Sequence, residues 1–408
     1  MNLTGGGYAV RVVLAAALLT SCAGLRPQTN AFDSMARQAH GTKQAAKYTS
    51  LFSFAGPPDG EKPVASLILD GEFYGTTSLG GYKNKCGDGC GTVFMMSAQG
   101  RERVVYRFKG TPDGANPQTG LTELNGQLFG TTFSGGTSAC PGGCGVIYKI
   151  ELGHERVVYF FKGGTDGAQP KCALVAISGV LYGTTSEDGS YGKGTFFSVT
   201  PSGQEQVLYS FKGAPYDGAF PQGSLAEVSG ALYGVTEKGG YDNAGTVFHI
   251  QPSGAEELVH SFEPAADGQM PTGLVNFPDS DTMYGTAADG GPNGFGTLFY
   301  VLPDTSFSVI YSFRGHAKRD GAYPEVPPTV VDYRFYGTTR GGGAHGNGTV
   351  YEMNSYSGGE SVLYSFGKVP DGVHPMASLL NDDGTLYGTT MNGGSRGAAS
   401  GTVFSIAP

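Results

Sequence analysis

Tryptophan is absent from the 408 residues. That removes one common platform for stacking on sugars and leaves the role to tyrosine. Charge is scarce, at 15%, and the 26 basic residues are outnumbered by 35 acidic ones, for a net charge of −9. Nucleic acid is therefore excluded as a partner, because binding a phosphate backbone needs a basic surface. No apolar run is long enough to span a bilayer; the best candidate, Val12–Thr20 behind Arg11, is too short. No segment of the repeated part carries a helical period. Cysteine is limited to six residues.

Glycine is abundant, at 69 residues, and it is periodic. Leu-Tyr-Gly-Thr-Thr, best seen at Leu181–Thr185, recurs with its aromatic at Tyr74, Phe129, Tyr182, Tyr233, Tyr284, Tyr336 and Tyr387. A Gly-Thr-Val-Phe partner starts at Gly91, Gly145, Gly194, Gly245, Gly296, Gly348 and Gly401. Leu-Tyr-Ser-Phe ends at Phe54, Phe108, Phe161, Phe211, Phe262, Phe313 and Phe366, each followed by Asp-Gly and then Pro. Seven copies spaced 51–55 residues apart mark a repeat architecture.

Each unit reads as four short strands. In the first they are A (65–69), B (72–77), C (91–96) and D (103–108), with tight A–B and C–D turns and B–C and D–A loops of about a dozen residues. The fold class is all-β: a seven-bladed propeller of four-stranded antiparallel blades. The first D strand (48–54) precedes the first A, and the chain stops after the last C (401–407). The N-terminal strand should therefore close the ring. Glycines inside strand B, such as Gly75 and Gly234, are expected to admit a neighbouring backbone. Pro324, Pro327 and Pro328 are expected to weaken the first strand of blade six.

The chain divides into a signal peptide (1–21), a lipid-anchored tether (22–47, with a short helix near 34–38) and the propeller (48–408). Leu19-Thr20-Ser21-Cys22 resembles a bacterial lipobox, which implies lipidation of Cys22. In an exported protein, the pairs Cys86/Cys90 and Cys140/Cys144, each closing a B–C loop, read as disulfides. The rival reading is one four-thiolate zinc site shared by the two loops. Cys172 is left over, as a buried free thiol on a strand.

The whole cassette resembles the GloVer tandem-repeat family of bacterial extracellular proteins, from Tyr48 to Pro408. Its strand order also parallels kelch repeats, though the kelch tryptophan is missing. Val146, Val235 and Ala287 depart from the pattern, each replacing a threonine. The resemblance implies an exported repeat protein and no assigned activity.

Catalytic, cofactor and metal residues are not legible. The seven aspartates Asp59, Asp113, Asp166, Asp217, Asp267, Asp320 and Asp371 precede glycine and read as turn caps. His316, His345 and His374 gather in loops around blade six, where three imidazoles could hold zinc, though loop histidines are usually just solvated. Gly393–Gly397 fits a nucleophile-elbow pattern and Gly192–Thr195 part of a phosphate loop, but each leads into a strand, with no helix following. The expected function is a non-enzymatic binding or structural propeller, monomeric and held at the cell envelope by its lipid alone. Its loop face would bind a protein or glycan. The alternative is a hydrolase or lyase acting on an extracellular polymer, with residues converging on the central channel. One-off polar residues clustered at one channel mouth would favour the alternative, and scattered ones the scaffold.

Overall fold

The computed structural model describes residues 46–83, 86–151, 153–355, 358–368, 370–396 and 400–408. The signal segment, Cys22, the short helix and nearly all of the tether lie outside the described residues. The described residues from 46 to 408 form seven antiparallel blades in the order A-B-C-D, and helix among them is confined to two single turns, Gly164–Asp166 and His316–Lys318. Blade four shows the plan most fully: A is Gly218–Val228, B Ala231–Gly239, C Thr246–Ile250 and D Glu256–Ser261. Blade seven takes its outer strand from the N-terminus, where Lys47–Ser53 pairs antiparallel with Thr402–Ala407.

Every D strand carries one bulge against strand C, at Leu51, Val105, Val158, Leu208, Val259, Ile310 and Leu363. The N-terminal strand bulges at the same place as the rest, which identifies it as a true D strand. A bulge increases local twist, as the outer edge of a propeller blade requires.

The repeated anchors are packing parts. Strand C contributes an aromatic directly opposite the strand B glycine, as in Gly183↔Phe197 and Gly388↔Phe404. A Cβ on Gly388 would sit 2.6 Å from Phe404 Cζ and 2.7 Å from Leu379 Cδ2. The glycine therefore makes room for a ring and a leucine; except in blade five, where Gly273 O also comes close to Gly285, neighbouring backbone is not what it admits. The same ring meets the Leu-Tyr-Ser-Phe phenylalanine of the preceding blade edge-on. All seven pairs, from Phe54–Phe94 to Phe366–Phe404, have centroids 5.0–5.3 Å apart. These edge-to-face contacts between buried rings form the inter-blade core. Gly388→Ala should cost about 1–3 kcal/mol by overpacking. Urea denaturation would read this as a lower midpoint at unchanged slope.

Threonines join the strands at the buried end of B. Thr185 and Thr195 share a hydrogen bond of 2.8 Å, as do Thr77/Thr92, Thr339/Thr349 and Thr390/Thr402, with Thr236/Thr246 at 2.7 Å. The substitutions Val146 and Ala287 fall on this pair and remove one hydroxyl each.

Strand A begins earlier than the hydrophobic run indicated. It starts at the Asp-Gly step, where Gly60–Glu61 pairs with Leu79–Gly80, then breaks around the proline and resumes at Ile68–Asp70. The D–A and B–C connections are correspondingly shorter than a dozen residues. Blade six shows the same break as blades one and two, with Gly321–Ala322 and Thr329–Val331 as its two pieces. Its extra prolines therefore occupy an interruption common to the repeat.

Candidate functional site

Six of the seven Asp-Gly aspartates act as more than turn caps, while Asp59, with Phe52 on its outer strand, accepts from Ala55 N–H and Gly60 N–H as a cap does. Asp217 Oδ2 accepts from the Tyr209 hydroxyl at 2.8 Å and Lys212 N–H at 2.7 Å, and Oδ1 accepts from Gly218 N–H at 2.6 Å. The same set recurs at Asp113, Asp320 and Asp371. This explains the tyrosine of Leu-Tyr-Ser-Phe: its hydroxyl ties the outer strand to the D–A turn. A carboxylate satisfied this way is a fixed strut, leaving little capacity for a cation.

The strut aims the chain at the central axis. The residue before each proline has positive φ: Lys62, Asn116, Gln169, Phe220, Met270, Tyr323 and His374 all lie between 56° and 59°. None is glycine, and this conformation costs roughly 1–3 kcal/mol at each site unless the surroundings enforce it. They do: each N–H donates to a carbonyl of the preceding blade, as in Phe220 to Lys193 and His374 to Asn347, both 2.9 Å. The next residue after the proline then faces the axis. Those seven, Val64, Gln118, Lys171, Gln222, Thr272, Glu325 and Met376, together line a cavity of about 410 Å³ with Ser78 and Met391.

Six residue types occupy these seven positions, while the proline before each of them repeats. Charge is concentrated in two places. Lys171 Nζ lies 4.0 Å from Glu237 Oε2, and burial raises the carboxyl of nearby Glu187. Across the mouth, Arg340 Nε lies 2.6 Å from Glu325 Oε1, with its guanidinium 5.2 Å over the Tyr323 ring. His374 pairs with Asn392 at 3.2 Å, and burial followed by the charge of Arg340 lowers its pKa. The Ser78 hydroxyl donates to Lys62 O and is not set against a base.

Below the mouth, A strands of neighbouring blades touch through small residues. Ser378 Oγ donates to Pro327 O at 3.0 Å, and Ser378 N–H to Ser66 Oγ at 3.1 Å. Cys172 bridges Gly223 here, fully buried, and burial pushes its thiol up to about 12. It is an inert packing group.

Both loop disulfides are present, Cys86–Cys90 and Cys140–Cys144, so the two pairs do not share a metal. Their loops flank a groove of about 610 Å³ on the loop face. The three loop histidines do not converge. His316 Nδ1 bonds Gly343 O at 2.6 Å, His345 is exposed and His374 bonds Asn392. Among the described residues no three His, Cys, Asp or Glu side chains gather to hold a metal. Sequence reading missed the ring at the axis, although its signal was available: a variable column directly after an invariant proline.

Comparison with solved structures shows the fold. The extracellular domain of a candidate one-component system from B. thetaiotaomicron aligns at TM-score 0.55 and 12% identity, over 90% of this chain and 42% of that one. Oligogalacturonate lyase from Vibrio parahaemolyticus aligns at TM-score 0.53 and 11% identity, over 90% and 94%. No curated protein matches the sequence. The Gloeobacter/Verrucomicrobia repeat profile matches residues 138–332 and 255–408, covering blades three to seven. The chain belongs to the Gloeobacter/Verrucomicrobia repeat family.

Proposed function

We propose that this is an exported, lipid-anchored propeller that binds a ligand at the loop-side mouth of its central channel. The observation that carries the reading is the ring of varied side chains at the axis, held by strained backbone that the repeat enforces. A purely structural spacer has no use for seven left-handed residues aimed at one cavity. Disulfides in two loops support an oxidising compartment. Clustering at one mouth also favours the enzyme alternative, a hydrolase or lyase on an extracellular polymer, and one solved neighbour of this fold is a lyase of oligogalacturonate. Two charge pairs of opposite orientation suit a polar ligand more than an apolar one.

A glycan array tests the binding reading. The wild type should give discrete signals that Lys171→Ala with Arg340→Ala reduces at least about tenfold, the scale of one lost charged contact. Signals unchanged in the double variant would remove the mouth from consideration. Release of reducing ends or unsaturated uronates from the bound polymer would establish the enzyme alternative. Cys22→Ala should free the protein from membranes or trap its precursor, since stable anchoring needs two acyl chains or their equivalent. Membrane fractionation and intact mass of the mature N-terminus would check this.

A further inference from the structure

A second cleft opens on the loop face between blades three and four. It measures about 500 Å³ and is lined by Lys193, Lys212 and Lys238, with Phe220, Asn243 and a short Gly213–Ala214 wall. No carboxylate lines it, although the chain as a whole is acidic. None of the three ammonium groups lies within 4.0 Å of a carboxylate among the described residues. Lys193 Nζ stands 4.9 Å over the Phe220 ring and Lys212 Nζ 5.4 Å over Tyr209, so aromatic faces hold two of the cations while leaving their donors free.

Tyrosines edge the same loops. Tyr191 lies two residues before Lys193, Tyr216 two after Ala214, and Tyr241 two before Asn243. They are 57%, 75% and 66% exposed, the three most exposed large apolar side chains among the described residues. Tyr216 and Tyr241 meet edge to face at 5.9 Å, which sets their rings at right angles. Solvent-exposed tyrosines cost solubility unless they contact something. A flat ring with a hydroxyl suits the mixed apolar and polar face of a sugar.

We propose that this cleft binds an acidic glycan, with sugar rings on Tyr191, Tyr216 and Tyr241 and the carboxylate or sulfate groups on Lys193, Lys212 and Lys238. Strand A of blade four links the sites: Ala219 and Phe220 line the cleft, and Gln222 lines the channel mouth beyond Pro221. The cleft thus names the ligand class for the mouth and rests on that reading, yet the two fail separately. Nucleic acid fits less well, because three lysines on an acidic body neutralise few phosphates.

Affinity electrophoresis through gels containing polygalacturonate, dextran sulfate, neutral dextran or duplex DNA tests the proposal. At least one acidic glycan should retard the protein, neutral dextran should not, and added salt should weaken the retardation. Polygalacturonate and dextran sulfate separate carboxylate from sulfate as the anionic group. Two variants, Lys193→Gln/Lys212→Gln/Lys238→Gln and Tyr216→Ala/Tyr241→Ala, should each weaken binding about tenfold, with melting little changed because Lys212 and the tyrosines are exposed and Lys193 and Lys238 only half-buried. Retardation lost only in Lys171→Ala/Arg340→Ala would overturn the cleft while leaving the mouth reading intact. Equal retardation by neutral dextran or by DNA would overturn it too, as would retention by no acidic glycan.

Discussion

A chain begun at Ala55 should fail to give a stable monomer, whereas a chain begun at Ala46 should melt with the full protein. The difference is one strand. Lys47–Ser53 supplies six residue pairs to Thr402–Ala407, and Phe54 beyond it is fully buried against Phe94 of blade one. Tyr48 stacks on Tyr364 at 3.9 Å and donates its hydroxyl to Asp371 at 2.9 Å. Losing Phe54 and the partly buried Leu51, Phe52 and Tyr48 removes roughly 1.5–3 kcal/mol for each side chain taken fully from the core. That total is comparable with the whole stability of a typical domain, about 5–15 kcal/mol. Strand C of blade seven would also present an unpaired edge, a template for aggregation. Differential scanning calorimetry and size-exclusion chromatography of the two truncations check this. Equal melting would mean that the ring does not depend on its N-terminal strand.

The ring was legible because each anchor occurs seven times, and a closure missing one strand at each end has one solution. The chemistry of the anchors was less legible. The strand B glycine marks a close approach in the sequence, but whether of backbone or side chain depends on register. The register sets Gly388 opposite Phe404, and the ring fills the space. The tyrosine–aspartate strut was hidden because its partners lie 7–9 residues apart across a bend, as with Tyr106 and Asp113 or Tyr311 and Asp320. The candidate site was least legible. Attention to repeated polar residues leads to the aspartates, which are struts. The side chains free to meet a ligand lie in the column that does not repeat, beside prolines that look merely structural. His316, His345 and His374 drew attention as metal ligands for their type alone, and none of the three lines the axial cavity, although His374 lies two residues before Met376, which does.

The protein should be more stable at pH 5.5 than at pH 8.5, because partly buried carboxyl pairs lie between the blades. A glutamate near the start of strand D packs against the aspartate strut of the preceding blade. Burial first, and the charge of that aspartate second, push Glu102, Glu155, Glu205 and Glu256 up to about 7 and Glu360 up to about 8. Their partners are Asp59, Asp113, Asp166, Asp217 and Asp320 in turn. Two blades solve the same problem without a second carboxyl. Phe307 stacks on His260 at 3.7 Å beside Asp267, and Tyr48 donates to Asp371. Since the folded pKa values lie above the unfolded value near 4.5, the folded state holds the extra protons. Their contribution is complete below about 4.5 and is lost as pH rises through about 7 to 8. Each tenfold difference in acidity between the folded and unfolded states corresponds to about 1.4 kcal/mol before screening. These side chains are only partly buried, and solvent screening reduces the effect to about 0.5 kcal/mol each. His260 and His374, whose pKa values are lowered by burial, act in the opposite direction below 6.5. The net gain at pH 5.5 should be about 2 kcal/mol, or roughly 3 °C in Tm for a domain of this size. Replacing all five glutamates by glutamine should flatten the profile by raising stability at pH 8.5. A wild-type profile that rises from pH 5.5 to 8.5, or a five-fold variant that keeps the wild-type slope, would show that the inter-blade carboxyls do not hold these protons.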